Sequence, residues 1–273
     1  MNIQQVLQNS IAQGLDRLDV QLLVLHVLGK APHDRAWLLA HDADPMPEAA
    51  HSALMAATER RLNGEPVAYI VGHKEFYGLH LAVDHHVLVP RPDTETLVDW
   101  ALEVLASHPS SRVIDLGTGS GAIALALKHT RPALDVCAVD FSHAALAVAQ
   151  ANATRLGLGV QFAQGSWLSS SPGPFHAIVS NPPYIASHDP HLAALTHEPP
   201  QALASGADGL DDIRTIISQA PAKLLPGGWL LLEHGYNQAE AVRALLMETG
   251  FTQVQSRLDL AGIARCSGGQ WSP

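Results

Sequence analysis

The sequence predicts an α/β fold with a largely parallel sheet, preceded by a small helical bundle. Beyond residue 110, short apolar segments of strand length alternate with helical segments, which is the pattern of a parallel sheet covered by helices on both faces. The first 70 or so residues instead repeat apolar side chains at helical spacing. A chain of 273 residues is long enough to bury a core in each part.

The amino-terminal part contains three predicted helices. The first is marked by four apolar residues at helical spacing, namely Val6, Leu7, Ile11 and Leu15. A second apolar segment, Leu18–Leu28, is closed by Gly29, and a third helix is predicted at Pro47–Leu62. No catalytic set of side chains occurs here, so residues 1–72 are interpreted as a packing or docking domain.

A β-hairpin and a capped helix follow. The alternation of Leu79, Leu81 and Val83 predicts the hairpin, and residues 73–90 are assigned to it as a linker. Asp93 or Thr94 is then expected to cap the next helix, because both side chains accept hydrogen bonds from free backbone N–H groups.

The third region, residues 91–273, is predicted to form the α/β domain. Its strands are predicted at Arg112–Leu116, Val136–Asp140, Val160–Ala163, Ala177–Ser180, Trp229–Glu233 and Gln253–Arg257. Its helices are predicted at Ala122–His129, His143–Leu156, Ile213–Leu224 and Gln238–Thr249. Ligands of such a sheet bind at the carboxyl ends of its strands.

The composition is that of an ordinary globular enzyme, with 47% hydrophobic and 15% charged residues. The net charge of −10 argues against DNA as the main partner, because phosphate binding needs a basic face. Two distant cysteines without a CxxC pattern, and no signal peptide or membrane-spanning apolar run, lead us to expect a cytoplasmic protein that is not bound to a membrane. The histidines form no HExxH or Cys/His set, so no metal is expected.

A glycine-rich loop, Asp115–Gly121, joins the first predicted strand of this domain to a helix. Alternating glycines allow the backbone to approach a ligand closely, and the helix amino terminus offers free N–H groups. The loop alone also fits a dinucleotide. Asp115 favours S-adenosylmethionine instead, because a carboxylate there repels a pyrophosphate but can bind an ammonium group, and Asp140 at the end of the next strand can accept both ribose hydroxyls.

A second loop, Asn181-Pro182-Pro183-Tyr184, ends the predicted strand Ala177–Ser180. The prolines stiffen the loop and remove two backbone donors, so that carbonyls and the Asn181 side chain remain for polar contacts. This suits a substrate with a planar NH2 group, whose hydrogens are donated to Asn181 Oδ1 and the Pro182 carbonyl while Tyr184 packs on its face.

With these loops in place, the chain resembles the HemK/PrmC family of release factor glutamine methyltransferases. The resemblance is carried by PRPDTE at Pro90–Glu95, DLGTGSGAIALAL at Asp115–Leu127, VSNPPYI at Val179–Ile185 and LLLEHG at Leu230–Gly235. It implies a Rossmann-like S-adenosylmethionine-dependent domain with a mostly parallel seven-stranded sheet. The implied reaction methylates the glutamine N5 of the Gly-Gly-Gln motif in bacterial class I release factors and leaves S-adenosylhomocysteine.

The resemblance also implies roles for particular residues. The cofactor is expected to contact Gly117, Thr118, Gly119, Ser120, Gly121, Asp140, Trp167 and Asn181. The glutamine is expected to contact Arg91, Pro92, Asn181, Pro182, Pro183 and Tyr184, with Asn181, Pro182 and Tyr184 acting in catalysis. The helical domain is expected to dock the body of the release factor, and the enzyme is expected to be a monomer.

The sequence departs from the family at three positions and leaves other activities open. Ser166 stands where many members have aspartate, and Thr196 and His197 replace an arginine and an aromatic residue before Glu-Pro. Gly268-Gly269-Gln270 repeats the target tripeptide, in what is interpreted as an exposed terminus. The alternatives are methylation of a ribosomal-protein glutamine, methylation of adenine N6 in a nucleic acid, and a cofactor-binding module without catalysis.

Overall fold

The computed structural model describes residues 1–106, 110–169 and 171–272. The undescribed residues 107–109, 170 and 273 all belong to the predicted region 91–273. Contacts divide the chain into two compact units, Met1–His73 and Lys74–Pro273.

The first unit is helical. Its helices are α1 (Ile3–Ala12), α2 (Arg17–Val27), α3 (Arg35–Ala40), α4 (Glu48–Leu62) and α5 (Val67–Val71). The helices α3 and α5 were not predicted, because each is shorter than two turns and carries too little apolar periodicity. The first helix ends earlier than its apolar pattern, yet Leu15 still packs into the core from the following turn. An ion pair between Arg61 Nε and Asp19 Oδ2, at 2.7 Å, joins α4 to α2.

A short hairpin follows, formed by β1 (His73–Phe76) and β2 (Leu79–Ala82). Its two turn residues, Tyr77 and Gly78, both have positive φ angles (52° and 76°), as tight hairpin turns require. Phe76 is buried against the core of the second unit.

The second unit is built on a seven-stranded sheet, which confirms the predicted fold class. Its strands are β3 (Arg112–Leu116), β4 (Asp135–Asp140), β5 (Gln161–Gln164), β6 (Phe175–Ser180), β7 (Leu224–Glu233), β8 (Phe251–Leu258) and β9 (Ala264–Trp271). Their spatial order is β5-β4-β3-β6-β7-β9-β8, in which the first five are parallel and β9 is antiparallel to both neighbours.

Helices cover both faces of this sheet. They are α6 (Glu95–Val104), α7 (Ala122–Thr130), α8 (His143–Leu156), α9 (Asp211–Gln219) and α10 (Ala239–Glu248). Trp100 of α6 and Leu125 of α7 belong to one buried cluster, and Ile216 of α9 and Val242 of α10 belong to the other. These helices therefore stabilise the domain by burying apolar side chains against the two faces of the sheet.

The interpretation of Gly268-Gly269-Gln270 as an exposed terminus is wrong. These residues lie within β9, between β7 and β8, and Gly268 is buried. The Gln270 side chain donates to Gly227 O and accepts from Gln253 Nε2. Sequence analysis missed this strand because its polar and glycine residues lack the apolar pattern of a strand.

Gly268→Ala should destabilise the protein, because a Cβ there would lie 2.6 Å from Leu230 O and 3.0 Å from Trp100 Cη2. A backbone oxygen cannot rotate away, and overpacking of this kind costs about 1–3 kcal/mol. We expect a lower midpoint of thermal unfolding. The matched control is Gly159→Ala, whose added Cβ meets nothing within 4 Å. Equal midpoints for the two variants would show that β9 does not pack as described.

Candidate functional site

A cavity of about 390 Å³ lies at the carboxyl ends of the parallel strands, where the strand order reverses around β3. Among the residues predicted for the site, the following line this cavity: Arg91, Gly117, Thr118, Gly119, Ser120, Asp140, Trp167, Asn181 and Pro183. The remaining predicted residues are not among its lining residues: Pro92, Gly121, Pro182 and Tyr184. Two loops far apart in sequence thus meet at one cavity large enough for a nucleoside-sized ligand.

The glycine loop is held in a left-handed backbone conformation at Gly117, Gly119 and Gly121. A Cβ on Gly121 would lie 2.9 Å from Leu125 Cδ1, so this glycine allows α7 to begin against its neighbours. A Cβ on Gly117 would lie 3.3 Å from the Trp167 ring, whereas one on Gly119 would meet nothing. The loop therefore leaves open space above its backbone, as close approach of a ligand requires.

Asp140 fixes this loop from the end of β4. Its Oδ2 accepts a hydrogen bond from Gly119 N at 2.9 Å, and its Oδ1 accepts one from Ser142 N at 2.8 Å. Burial raises the pKa of Asp140, while these backbone hydrogen bonds oppose the shift. The carboxylate still borders the cavity and can accept further hydrogen bonds there.

Asp115 is not among the residues that line the cavity, and its contact with an ammonium group stays a prediction. Its side chain is fully buried, and its Oδ2 accepts hydrogen bonds from Thr118 Oγ1 (2.6 Å) and Ala124 N (3.2 Å). Burial raises the pKa of Asp115 to about 7. The position of Asp115 inside β3 turns it under the loop, where it supports the amino terminus of α7.

Trp167 forms another wall together with Ser166, Asp212 and Phe141, of which Asp212 and Phe141 were not predicted from the sequence. The Trp167 ring lines the cavity, and its Nε1 donates to Asp212 Oδ1 at 3.2 Å. Phe141, which follows Asp140, also lines the cavity and is 75% exposed. Ser166 reaches the same wall. The available sequence signal for Phe141 was an aromatic residue directly after the aspartate that ends the predicted strand Val136–Asp140.

The Asn-Pro-Pro-Tyr loop begins at the end of β6, where Ser180 Oγ donates to Leu116 O at 2.7 Å. Asn181 Nδ2 donates to Thr94 Oγ1 at 3.2 Å, which leaves Asn181 Oδ1 as an acceptor. Tyr184 is largely enclosed, with its hydroxyl 3.4 Å from Glu233 Oε1. Burial, followed by the Glu233 charge, raises the pKa of Tyr184, so the hydroxyl stays protonated.

Thr94 differs from its predicted role. It occupies the position before α6, but its side chain makes no capping hydrogen bond. The hydroxyl oxygen instead accepts a hydrogen bond from Asn181 Nδ2. Burial raises the pKa of Glu233 to about 7, against the hydrogen bond from Thr94 and the charge of Arg265. Sequence analysis did not connect these residues, because they lie on separate elements.

Arg91 connects the Pro-Arg-Pro segment to the chain after the Asn-Pro-Pro-Tyr loop. Its Nη2 lies 2.5 Å from Glu198 Oε2, and Glu198 Oε1 accepts from Val89 N at 3.1 Å. Glu198 is only 3% exposed, so its charge is stabilised by these two partners. Thr196, one of the departures from the family pattern, is exposed.

The described residues also contain one cluster with metal-binding side chains, Asp84, His85 and His86, whose ligand atoms lie within 4.8 Å of one another. His86 borders the cavity. Asp84 Oδ1 already accepts hydrogen bonds from the His86 backbone N and Nδ1. These contacts account for the arrangement of the turn without an ion.

Two family models match the chain. The model described as "PrmC N-terminal domain" matches residues 4–72, and the model described as "Methyltransferase small domain" matches residues 94–208. No helix in the described part of the chain is long and apolar enough to span a bilayer.

Several proteins with the same name are similar over nearly the whole chain. A protein of Bordetella pertussis named "Release factor glutamine methyltransferase" is 51% identical, over 94% of this chain and 95% of its own length. A protein of Coxiella burnetii with the same name is 47% identical, over 91% and 90%. A methyltransferase structure from Pyrococcus furiosus covers 80% of this chain and 99% of that chain with a TM-score of 0.56, at 18% identity, and so supports the fold alone.

Asp115→Asn should weaken the dependence of stability on pH. Because burial raises the folded-state pKa of Asp115 to about 7, its contribution to stability is complete below the ordinary pKa of about 4 and is lost as pH rises through about 7. Between about pH 4 and 7, the wild-type unfolding midpoint should therefore fall more than that of the variant. Parallel curves for the two proteins would contradict the assigned burial.

Proposed function

Because the chain belongs to the release factor glutamine methyltransferase family, we propose that it transfers a methyl group from S-adenosylmethionine to the glutamine N5 of the Gly-Gly-Gln motif in peptide chain release factors. One observation carries this proposal: Asn181, with its Oδ1 left as an acceptor, borders the same cavity as the glycine loop and Asp140. Such a transfer requires that the cofactor site and the hydrogen-bond acceptor for the substrate amide lie within one cavity.

The glycine loop, Asp140 and Trp167 fit the cofactor. The open space over Gly119 admits a ligand next to the backbone, Asp140 can accept hydrogen bonds from ribose hydroxyls, and the Trp167 ring offers a flat apolar wall for adenine. Asn181 lies at the junction of the cofactor and substrate regions. When bound, S-adenosylmethionine supplies an electrophilic methyl group attached to a positively charged sulfur.

The protein must overcome the weakness of the acceptor. The lone pair of an amide nitrogen is delocalised into its carbonyl, so the nitrogen attacks slowly. Asn181 Oδ1 and the Pro182 carbonyl would accept its two hydrogens and fix its direction, a contribution of up to about 7–11 kcal/mol in favourable cases. Pro183 and Arg91, which line the cavity, would limit movement of the bound amide. Contacts of Tyr184 and Pro92 with the glutamine stay predictions, because neither residue is among the lining residues. The methylated amide cation loses its proton readily without a strong base.

The protein partner fits the charge of the chain. Release factors contact RNA and need basic surfaces, whereas this chain has a net charge of −10, so that opposite charges would raise the rate of encounter. Two alternatives remain as assay outcomes: the glutamine of a ribosomal protein, and adenine N6 of a nucleic acid. A cofactor-binding module without catalysis is the alternative from a different class.

A labelled-methyl assay tests the activity directly. The protein is incubated with methyl-labelled S-adenosylmethionine and, separately, a purified bacterial class I release factor, ribosomal proteins, DNA or RNA. Label on the Gly-Gly-Gln peptide of the release factor, absent when that glutamine is replaced by alanine, is the expected result. Label only on another acceptor supports the corresponding alternative, and binding of cofactor without any transfer supports a non-catalytic module.

Asn181→Ala should reduce methyl transfer by several orders of magnitude, because the amide loses one of its two acceptors and its alignment. Cofactor affinity, measured by calorimetry, should remain largely intact. Asn237→Ala is the matched control, since Asn237 is exposed and is not among the lining residues of the cavity. Near-normal turnover by Asn181→Ala would exclude this mechanism.

Removal of residues 1–72 should raise the KM for the release factor more than it weakens cofactor binding, because a single glutamine offers little surface for recognition. Retained cofactor binding serves as the control that the remaining residues are folded. An unchanged KM would contradict the docking role of the helical domain.

A further inference from the structure

Two carboxylates line the cavity in the described part of the chain, namely Asp140 and Asp212. The proposed function assigns Asp140 to the ribose hydroxyls and gives Asp212 no role. Asp212 is half-buried, and its Oδ1 accepts a hydrogen bond from Trp167 Nε1 at 3.2 Å. A carboxylate therefore lies at the edge of the flat ring against which the adenine of the cofactor is expected to rest.

Helix α9 holds both the carboxylate and the ring in place. Asp212 N in its first turn donates to Ser205 Oγ at 2.8 Å, and Ser205 is only 3% exposed. At the other end of α9, Gln219 Oε1 accepts from Leu168 N at 3.0 Å. Trp167 has a φ angle of 51°, a left-handed conformation that costs free energy in a residue with a side chain and persists only where the surroundings fix it. The ring and the carboxylate are thus fixed relative to each other.

The hydrogen-bonding groups of adenosine explain why a carboxylate suits this position. An ionised carboxylate accepts hydrogen bonds and cannot donate them. The donors in the adenosine part of the cofactor are the ribose hydroxyls and the exocyclic amino group of adenine, whereas the free ring nitrogens are acceptors. With Asp140 at the ribose, the amino group is the donor that remains for Asp212. A single hydrogen bond from Trp167 leaves acceptor positions on the Asp212 carboxylate for it.

We propose that Asp212 is a specificity-determining residue, whose carboxylate accepts a hydrogen bond from the exocyclic amino group of the cofactor adenine. This inference rests on the proposed function and deepens it. It also bears on Ser166, which stands where many members of the family have aspartate. In this chain, Asp212 supplies a carboxylate to the same wall of the cavity from another element.

A purely structural role of Asp212 would have a different consequence. Acidic residues in the first turn of a helix stabilise its positive end, and the first turn of α9 contains both Asp211 and Asp212. Asp211 differs in that its side chain is 65% exposed, pairs with Arg214 and is not among the lining residues of the cavity. Loss of a helix-stabilising charge would weaken the binding of all ligands alike, whereas loss of an adenine contact would change the preference between ligands.

Calorimetric binding of S-adenosylhomocysteine and S-inosylhomocysteine to the full chain tests the proposal. The inosine analogue has a carbonyl oxygen in place of the amino group, and therefore presents an acceptor to the carboxylate. The wild type should bind S-adenosylhomocysteine about 10- to 100-fold more tightly, as expected for one hydrogen bond to a charged group. Equal Kd values for the two ligands would overturn the proposal.

Asp212→Asn replaces one acceptor by a donor and keeps the shape of the side chain. Trp167 Nε1 can only donate, so it selects the oxygen of the new amide and leaves the NH2 group in place of the other carboxylate oxygen. The preference should then vanish or reverse toward S-inosylhomocysteine. Asp212→Ala, which offers neither donor nor acceptor, should bind both ligands with similar Kd values. The matched control, Asp211→Asn, should keep the wild-type preference.

An unchanged ratio of the two Kd values in Asp212→Asn would show that the role of Asp212 is structural and would refute the proposal. Loss of all measurable binding by both Asp212 variants would also contradict it, because one hydrogen bond accounts only for a graded loss of affinity.

The binding experiment is independent of methyl transfer, since neither ligand carries a transferable methyl group. If the wild type binds S-adenosylhomocysteine but labels no release factor, the proposed function fails, while the ratio of Kd values still decides the role of Asp212. If the wild type binds neither ligand, both proposals fail.

Discussion

The parallel register between β3 and β6 is the constraint on which the site depends. Leu116 pairs with Ser180, and the Ser180 hydroxyl fastens the two strand ends through Leu116 O. Both strands therefore end at the same level, so that Gly117 and Asn181 emerge next to each other although they are far apart in sequence. A slip of one residue would turn the side chains of β6 to the opposite faces of the sheet.

Two buried carboxylates hold the glycine loop and the Asn-Pro-Pro-Tyr loop through hydrogen bonds. Asp115 at β3 accepts hydrogen bonds from Thr118 and from the start of α7, and Glu233 at β7 accepts one from the Tyr184 hydroxyl. Burial raises the pKa of both groups to about 7, which shows how strongly each environment disfavours charge. Rigid support of this kind keeps polar side chains oriented in a cavity where solvent would otherwise compete for them.

Contacts from other elements account for two of the departures from the family pattern. Where Ser166 replaces aspartate, the neighbouring Trp167 is held by Asp212 from α9, so a carboxylate still reaches that wall from another element. Before Glu198, the altered Thr196 is exposed, whereas Glu198 itself is tied to Arg91 and Val89. The contacts of Glu198 are therefore available without an arginine or aromatic residue at the two preceding positions.

The sequence by itself determined the glycine loop, the Asn-Pro-Pro-Tyr loop and the bounds of β3, because glycine, proline and apolar runs restrict the backbone locally. Tertiary structure decided what depends on pairing between distant segments. Asp115 is fully buried and bonded to Thr118 and Ala124. The glycine-rich β9 joins the sheet through pairing with β7 and β8, and folding brought Thr94 to Asn181, 87 positions away. Local preferences cannot encode such contacts, since each side chain acquires its partner only when separate elements pack together.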